Sequence, residues 1–317
     1  MKLGVIGIGT VGEGVLKILS QEKDRLETMF GREVEIKRIC DIREKEFPFG
    51  EFNFTDNYRE ILDDKEIHTV VELIGGVGKA YEIAKEVLTS GRNLVCANKH
   101  LIALHGRELF TLAKENNVHF YFEAAVGGGI PVVTPLREGL FPNRFSRIRG
   151  VLNGTCNYML KKMEEGMEYE QALQDAKDMG YAEADPTFDV AGIDTGHKIS
   201  VLSYLAWGEL VDFSEISITG IDKLTKKDVE DAARDGKRYK LLGEASVTEG
   251  RTSICVSPQL VGCDELLYSV EGVYNAVETE GSYTGKTVFY GEGAGMDATA
   301  SAVVSDIYKV LLNGSWN

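Results

Sequence analysis

Short apolar runs alternate with helical periodicity along the first part of the chain. Lys2–Ile6 reads as a strand, and the stretch from about Val11 to Leu26 as an amphipathic helix. Val34–Cys40 reads as the next strand and ends at Asp41. The region around Pro48 and Gly50 has no clear period. Thr69–Ile74 (TVVELI) is a buried-type strand, Ala80–Thr89 an amphipathic helix stopped by Gly91, and Asn93–Ala97 another strand. Arg107–Asn116 adds a helix and Val118–Phe122 a strand. Continuous apolar strands alternating with helices predict an α/β fold with a parallel, doubly wound sheet.

Past Gly127-Gly128-Gly129 and Pro131 the texture changes. Helical stretches at Tyr169–Met179 and Thr195–Leu205 mix with alternating segments such as Ser253–Val256 and Tyr268–Ala276. That pattern predicts a second, α+β domain whose helices cover a mixed or antiparallel sheet. Near the end, Gly291, Gly293 and Gly295 precede a helix with Val303, Val304, Ile307, Val310 and Leu311 on one face, and Asn313-Gly314 is its stop signal. No internal repeat interrupts the chain.

Of 317 residues, 50 are acidic and 35 basic, a net charge of −15 that argues against nucleic-acid binding, which needs clustered Lys and Arg. The five cysteines, Cys40, Cys96, Cys156, Cys255 and Cys263, are scattered without metal-like pairing. Reduced thiols and a cytoplasmic location are expected. No apolar run reaches the ~18 residues of a spanning helix, so no membrane partner is expected. MKLGVIGIGTVG reads as strand and turn, not as a signal peptide.

Gly7, Gly9 and Gly12 form G-x-G-x-x-G between the first strand and the first helix, around Thr10 and Val11. The first glycine makes the tight turn, the second admits a pyrophosphate, and the third lets helix and strand approach. The helix N-terminus supplies N–H groups to the anion. Asp41 closes the second strand, where an acid bonds the adenosine ribose and favours NAD. Arg43 could hold a 2′-phosphate instead, or be a solvated loop charge. A Rossmann-type domain over residues 1–128, completed by the C-terminal helix 296–317, is therefore expected beside a catalytic domain over 129–295.

Ala176–Lys198 reads AKDMGYAEADPTFDVAGIDTGHK, with Glu183, Asp185, Asp189 and Asp194 ahead of Lys198. An amino-acid substrate accounts for this set, because its ammonium needs carboxylates and its reacting oxygen a proton donor. Asp194 and Lys198 are i,i+4 and share a helix face. The plain alternative is an exposed ion pair worth a few tenths of a kcal/mol beside a solvated acidic loop. Cys96-Ala97-Asn98-Lys99 lies just beyond a strand's C-terminal end, the ligand-binding edge of open α/β sheets, although a lysine there is more often merely exposed.

Together these motifs make the chain resemble a homoserine dehydrogenase over essentially its whole length. The family signature is met by Ala176, Gly180-Tyr181, Asp185-Pro186, Asp189-Val190, Gly192, Asp194 and Lys198. GIGTVG at Gly7–Gly12, ANK at Ala97–Lys99, EAAVGGGIP at Glu123–Pro131 and NGTCNY at Asn153–Tyr158 stand in family order. The resemblance implies reversible reduction of L-aspartate 4-semialdehyde to L-homoserine with NAD or NADP as coenzyme, a step towards threonine, methionine and isoleucine. By analogy Lys99 and Lys198 flank the reacting oxygen, with Lys198 the proton donor. Asp194 holds or tunes it, Glu183 binds the substrate's amino group, and Asp189 supports the acidic wall. Asn153 and Thr155 are carried over as substrate-binding residues, and Asn98, Lys99, Gly291 and Gly293 as coenzyme-binding ones.

EAAVGGGIP resembles the family's monovalent-cation loop. Glu123 would offer a carboxylate to sodium, and Val126, Gly128 and Ile130 carbonyls; an ordinary interdomain hinge would use the triple glycine equally well. Some family members have two adjacent aspartates where this chain has Phe188-Asp189, which questions any role for the first. Larger members append a small amino-acid-binding domain. This chain ends right after the Val303–Leu312 helix, so a short form unresponsive to threonine is expected. The alternatives are another Rossmann-type amino-acid dehydrogenase and a catalytically idle nicotinamide-binding sensor. A homodimer is implied, with segments such as Tyr268–Ala276 pairing edge to edge.

Overall fold

Strand β1 (Lys2–Ile6) buries Leu3 and Val5 completely and has a parallel neighbour on each side. The computed structural model describes residues 1–313. With β2 (Glu35–Cys40), β3 (Phe54–Thr55), β4 (Thr69–Glu72), β5 (Asn93–Cys96) and β6 (Phe120–Tyr121), β1 forms a sheet of order β3-β2-β1-β4-β5-β6. All five pairings are parallel. The strand order reverses between β1 and β4, so the crevice beyond their C-terminal ends is the place for a ligand. Helices α1 (Thr10–Gln21), α2 (Lys23–Phe30), α3 (Arg59–Asp63), α4 (Gly78–Thr89) and α5 (Lys99–Glu115) lie between the strands in sequence. The C-terminal helix Met296–Asn313 packs on α1. Its Val303, Ile307 and Val310 share one apolar core with Val5, Val15 and Leu16. Residues 1–129 and the segment from Gly295 make up this compact unit.

Residues 130–294 form a second unit. Its strands are β7 (Phe145–Val151), β8 (Ser217–Ile218), β9 (Lys237–Thr248), β10 (Arg251–Gly262), β11 (Tyr274–Gly281) and β12 (Gly285–Glu292). They run in the order β12-β11-β7-β9-β10-β8, antiparallel except for β8 on β10. Helices α6 (Gly154–Glu164), α7 (Tyr169–Asp178), α8 (Thr187–Val190), α9 (Ile193–Trp207) and α10 (Lys226–Arg234) complete the unit, with α9 packed on β7, β9 and β10. The parallel doubly wound sheet and the second mixed sheet are those the hydrophobic pattern predicts.

Several boundaries differ from the sequence reading. The first helix breaks at Glu22 and resumes as α2, although no glycine or proline stands there. Leu26 is α2's one buried side chain, and Phe30 packs on Tyr308 at 4.5 Å between ring centroids. Helix α5 begins at Lys99, not Arg107, because Leu101, Ile102, Ala103 and Gly106 continue its buried face and Asn98 caps it. Ser253–Val256 is a fragment of a twelve-residue strand in the β9–β10 hairpin. Glu249 (φ 51°) and Gly250 (φ 78°) turn that hairpin, both left-handed as a two-residue type I′ turn requires. Tyr268–Ala276 is not a strand. It ends one 3₁₀ turn, Leu266–Ser269, and begins β11, which lies inside the sheet between β12 and β7. Edge pairing through it is thereby ruled out. Gly314, half of the expected helix stop, lies outside the described residues.

Candidate active site

The coenzyme turn is built from backbone. Gly7 takes φ 94°, and its N–H donates to the Cys40 carbonyl at 2.8 Å. A Cβ on Gly12 would overlap the Gly7 carbonyl oxygen, so the third glycine is fixed by packing. A Cβ on Gly9 would meet nothing within 4 Å, which leaves that side open to an approaching phosphate. Gly9 is the N-cap of α1, and Thr10 and Val11 form its first turn. The Asp41 carboxylate accepts the Ile8 N–H at 2.7 Å and the Arg43 N–H at 3.3 Å. Ile8, Gly9, Asp41, Arg43 and Lys45 line a cavity of about 380 Å³. Lys45 is ion-paired with Glu13, whereas the Arg43 side chain is exposed.

A residue absent from the sequence reading stands at the same sheet edge. Glu72 ends β4 with no exposure, accepting the Ile74 N–H at 2.8 Å and the Cys96 thiol at 3.2 Å. Burial pushes its carboxyl above the ordinary range, and the Cys96 thiol is raised by burial too. Only its place in an otherwise apolar strand end marked Glu72 in the sequence. Asn98 accepts the Leu101 N–H at 3.1 Å and donates to the Gly76 carbonyl at 2.5 Å, so its side chain serves as cap and loop tie. Lys99 is the first residue of α5.

In the second unit α9 carries Asp194 and Lys198 on one face. Lys198 Nζ lies 2.7 Å from Asp194 Oδ2 and donates to the Leu152 carbonyl at 2.7 Å. Their side chains are 10% and 12% exposed, so this is no solvated helix pair. An ammonium has three N–H bonds; two are committed, and one remains for a ligand. Asn153, the N-cap of α6, donates to Asp189 Oδ1 at 2.7 Å and to Asp194 Oδ2 at 3.0 Å. Its own oxygen accepts the Cys156 N–H at 2.8 Å. One amide thus bridges two carboxylates that would otherwise repel.

The acidic residues do not all converge. Asp189 and Asp194 meet through Asn153, but Asp185 is exposed and turns back to the Thr187 N–H and hydroxyl at 3.1 and 2.6 Å, which hold its carboxyl below the usual value. Asp-Pro-x favours such an Asx turn over a ligand role. Glu183 is exposed and has no side-chain partner among the described residues. Thr155 donates to the Tyr181 carbonyl at 2.6 Å. Gly291 lies within β12, and a Cβ on Gly293 would overlap the Asn275 amide, so packing requires a glycine at the second position.

In the first unit Glu123 is buried. Its N–H donates to Asp306 at 2.6 Å, and Lys309 lies 3.4 Å from its carboxylate. Burial raises Asp306 to about 6. Gly127 and Gly128 are left-handed, at φ 78° and 56°, just after Val126. Ile130 opens the second unit.

What the first unit can bind is a dinucleotide, and what the second offers is a proton on an amine. Hydride chemistry at a carbonyl needs both, which makes this a nicotinamide-dependent dehydrogenase. Residues 7–123 match the NAD-binding domain of homoserine dehydrogenase, and residues 131–308 match the homoserine dehydrogenase family. The homoserine dehydrogenase of Neisseria gonorrhoeae is 42% identical over 313 residues, 98% of this chain and 72% of that one. The crystal structure of a homoserine dehydrogenase from Thiobacillus denitrificans is 40% identical with a TM-score of 0.95, over 99% of this chain and 74% of that one. A hyperthermophilic archaeal homoserine dehydrogenase in complex with NADPH is 29% identical with a TM-score of 0.83, over 98% of each chain. The chain belongs to the homoserine dehydrogenase family. Among the described residues no helix is long and apolar enough to cross a membrane.

Proposed function

We propose that the chain catalyses the reversible NAD(P)H-dependent reduction of L-aspartate 4-semialdehyde to L-homoserine, with Lys198 as proton donor. The observation that carries the lysine's role is its ammonium, anchored on Asp194 and the Leu152 carbonyl with one N–H unspent. The glycine turn at Gly7–Gly12 and the cavity at Asp41 and Arg43 would hold a nicotinamide coenzyme, which would supply the hydride in one direction and take it up in the other. In reduction, Lys198 stabilises the charge that develops on the carbonyl oxygen and gives it a proton. Asp194 holds the amine in place, Asn153 keeps Asp194 and Asp189 together, and Lys99 takes part in the same reaction. Glu183 receives the substrate's ammonium, Asp189 supports the acidic wall, and Asn153 and Thr155 complete the substrate-binding set.

Residues 1–128 with the C-terminal helix serve as the coenzyme domain, and 129–295 as the catalytic and dimerisation domain. Both coenzymes are used, and Arg43 decides for NADPH. A monovalent cation, sodium first, binds Glu123 and the carbonyls of Val126, Gly128 and Ile130. Lys309 beside Glu123 favours a single over a double positive charge there. Replacing sodium chloride by choline chloride should lower the melting temperature if that site is used, and leave it unchanged if it is not. The copies of the homodimer meet through the second domain. The protein should reduce NAD⁺ or NADP⁺ with L-homoserine, and folded protein inert with both coenzymes would overturn the assignment.

A further inference from the structure

A buried asparagine that no motif contains stands behind Lys198. Asn275, on β11, is 1% exposed, and its amide nitrogen donates to the Leu152 carbonyl at 2.9 Å. That carbonyl is also the second anchor of the Lys198 ammonium. Lys198 and Asn275 therefore share one oxygen, and the two nitrogens cannot be farther apart than those two bonds laid end to end. The Asn275 oxygen is buried and accepts no hydrogen bond. An orphaned buried acceptor costs stability, so an apolar residue would suit the fold better at this place. The chain also gives the amide its room: a Cβ on Gly293 would fall on the Asn275 carboxamide.

We propose that Asn275, seated by Gly293, is a positioning residue for Lys198 that acts through the Leu152 carbonyl. The inference rests on the reading of Lys198 as proton donor. A tetrahedral ammonium with two N–H bonds fixed has its third direction fixed as well. Asp194 and Leu152 do the fixing, and each is braced by an asparagine: Asp194 by Asn153, Leu152 by Asn275. Asp194 lies against the amine, Asp189 stands across Asn153, and the buried Cys156, whose Sγ lies 3.2 Å from the Asp189 carbonyl, feels the charges of Asp189, Asp194 and Lys198. Asn275 adds a dipole to that set without adding a charge.

The test is steady-state kinetics of Asn275→Ala, Gly293→Ala, the double variant and Lys198→Ala, with Asn275→Asp as the isosteric charge probe and thermal unfolding to confirm folding. Asn275→Ala should lower kcat roughly ten- to a hundredfold, the scale of a misdirected catalytic group, with KM for homoserine and coenzyme little changed. Gly293→Ala should do the same, and should add little once Asn275 is alanine. Asn275→Asp brings a carboxylate beside the amine, and should move the rise of homoserine oxidation with pH upward by about one unit. Wild-type kcat and pH profile in the folded Asn275 variants, with Lys198→Ala impaired, would overturn the positioning role alone. Wild-type kcat in Lys198→Ala would overturn the underlying assignment instead. A Gly293→Ala defect confined to coenzyme KM, and undiminished in the Asn275→Ala background, would return Gly293 to the coenzyme.

Discussion

Charge at two side chains separates binding from chemistry. Glu183 is exposed, and its carboxylate has no partner among the described residues to satisfy before a substrate arrives. Glu183→Ala should raise KM for homoserine about tenfold or more, the scale of a hydrogen bond to a charged group, and change kcat much less. Initial-rate measurements over a range of homoserine concentrations check this, and an unchanged KM would remove Glu183 from the site. At the cavity beside the glycine turn, Asp41 spends both oxygens on backbone N–H groups and Lys45 is held by Glu13, which leaves Arg43 to meet a 2′-phosphate. Arg43→Ala should raise KM for NADPH roughly ten- to a hundredfold and KM for NADH little. Equal small effects on both coenzymes would leave Arg43 in solvent.

At the scale of elements, α6 and β9 are tied by a buried amine. Lys240 of β9 donates to Asn157 Oδ1 at 2.9 Å and to the Val270 carbonyl, and Asn157 of α6 donates to the carbonyls of Val270 and Gly272 at 3.2 and 2.9 Å. Burial first, then the positive charge of Arg238, lowers Lys240 from 10.5 to about 8. Below about 8 the amine is charged in both folded and unfolded chains. Between about 8 and 10.5 the unfolded chain binds the extra proton, so this group makes stability rise with pH across that window. Urea unfolding at pH 7.5, 9 and 10 should show the rise, about 3 kcal/mol at most, and Lys240→Met should flatten it. The same slope in both proteins would mean that Lys240 stays charged.

Elements also show why some of the site was legible in the sequence. The glycine turn and the Asp194–Lys198 pair are local, so their spacing alone carries the geometry. Leu152 meets the lysine directly, Asn153 through Asp194 and Asn275 through Leu152, from β7's end, α6's cap and β11, elements that only the tertiary fold brings together. Asp185 is ambiguous in the sequence because its residue type suits a binding carboxylate and an Asx turn equally; in the structure it makes the turn. The first two turns of α5 are hard to see in the sequence because His100, His105 and Gly106 dilute its apolar stripe, although Leu101, Ile102 and Leu109 are fully buried.

In the whole molecule, the doubly wound sheet was readable from continuous apolar strands, but the order of the second sheet was not. Its edges are β12 and β8, and β12 carries Tyr290, 56% exposed and stacked on Tyr274 at 5.3 Å. An exposed edge with aromatic cover suits a protein partner, so light scattering at micromolar concentration should return a dimer, and Tyr290→Glu should weaken it. A monomeric wild type would contradict the proposed assembly.

Proton transfer by Lys198 in homoserine dehydrogenase chemistry is tested by following NADPH consumption with aspartate 4-semialdehyde for the wild type and Lys198→Ala side by side. The wild type should turn over, and the folded variant should lose about 10²-fold or more in kcat, the usual scale for a missing general acid. Equal kcat values in the two proteins would rule out Lys198 as the proton donor.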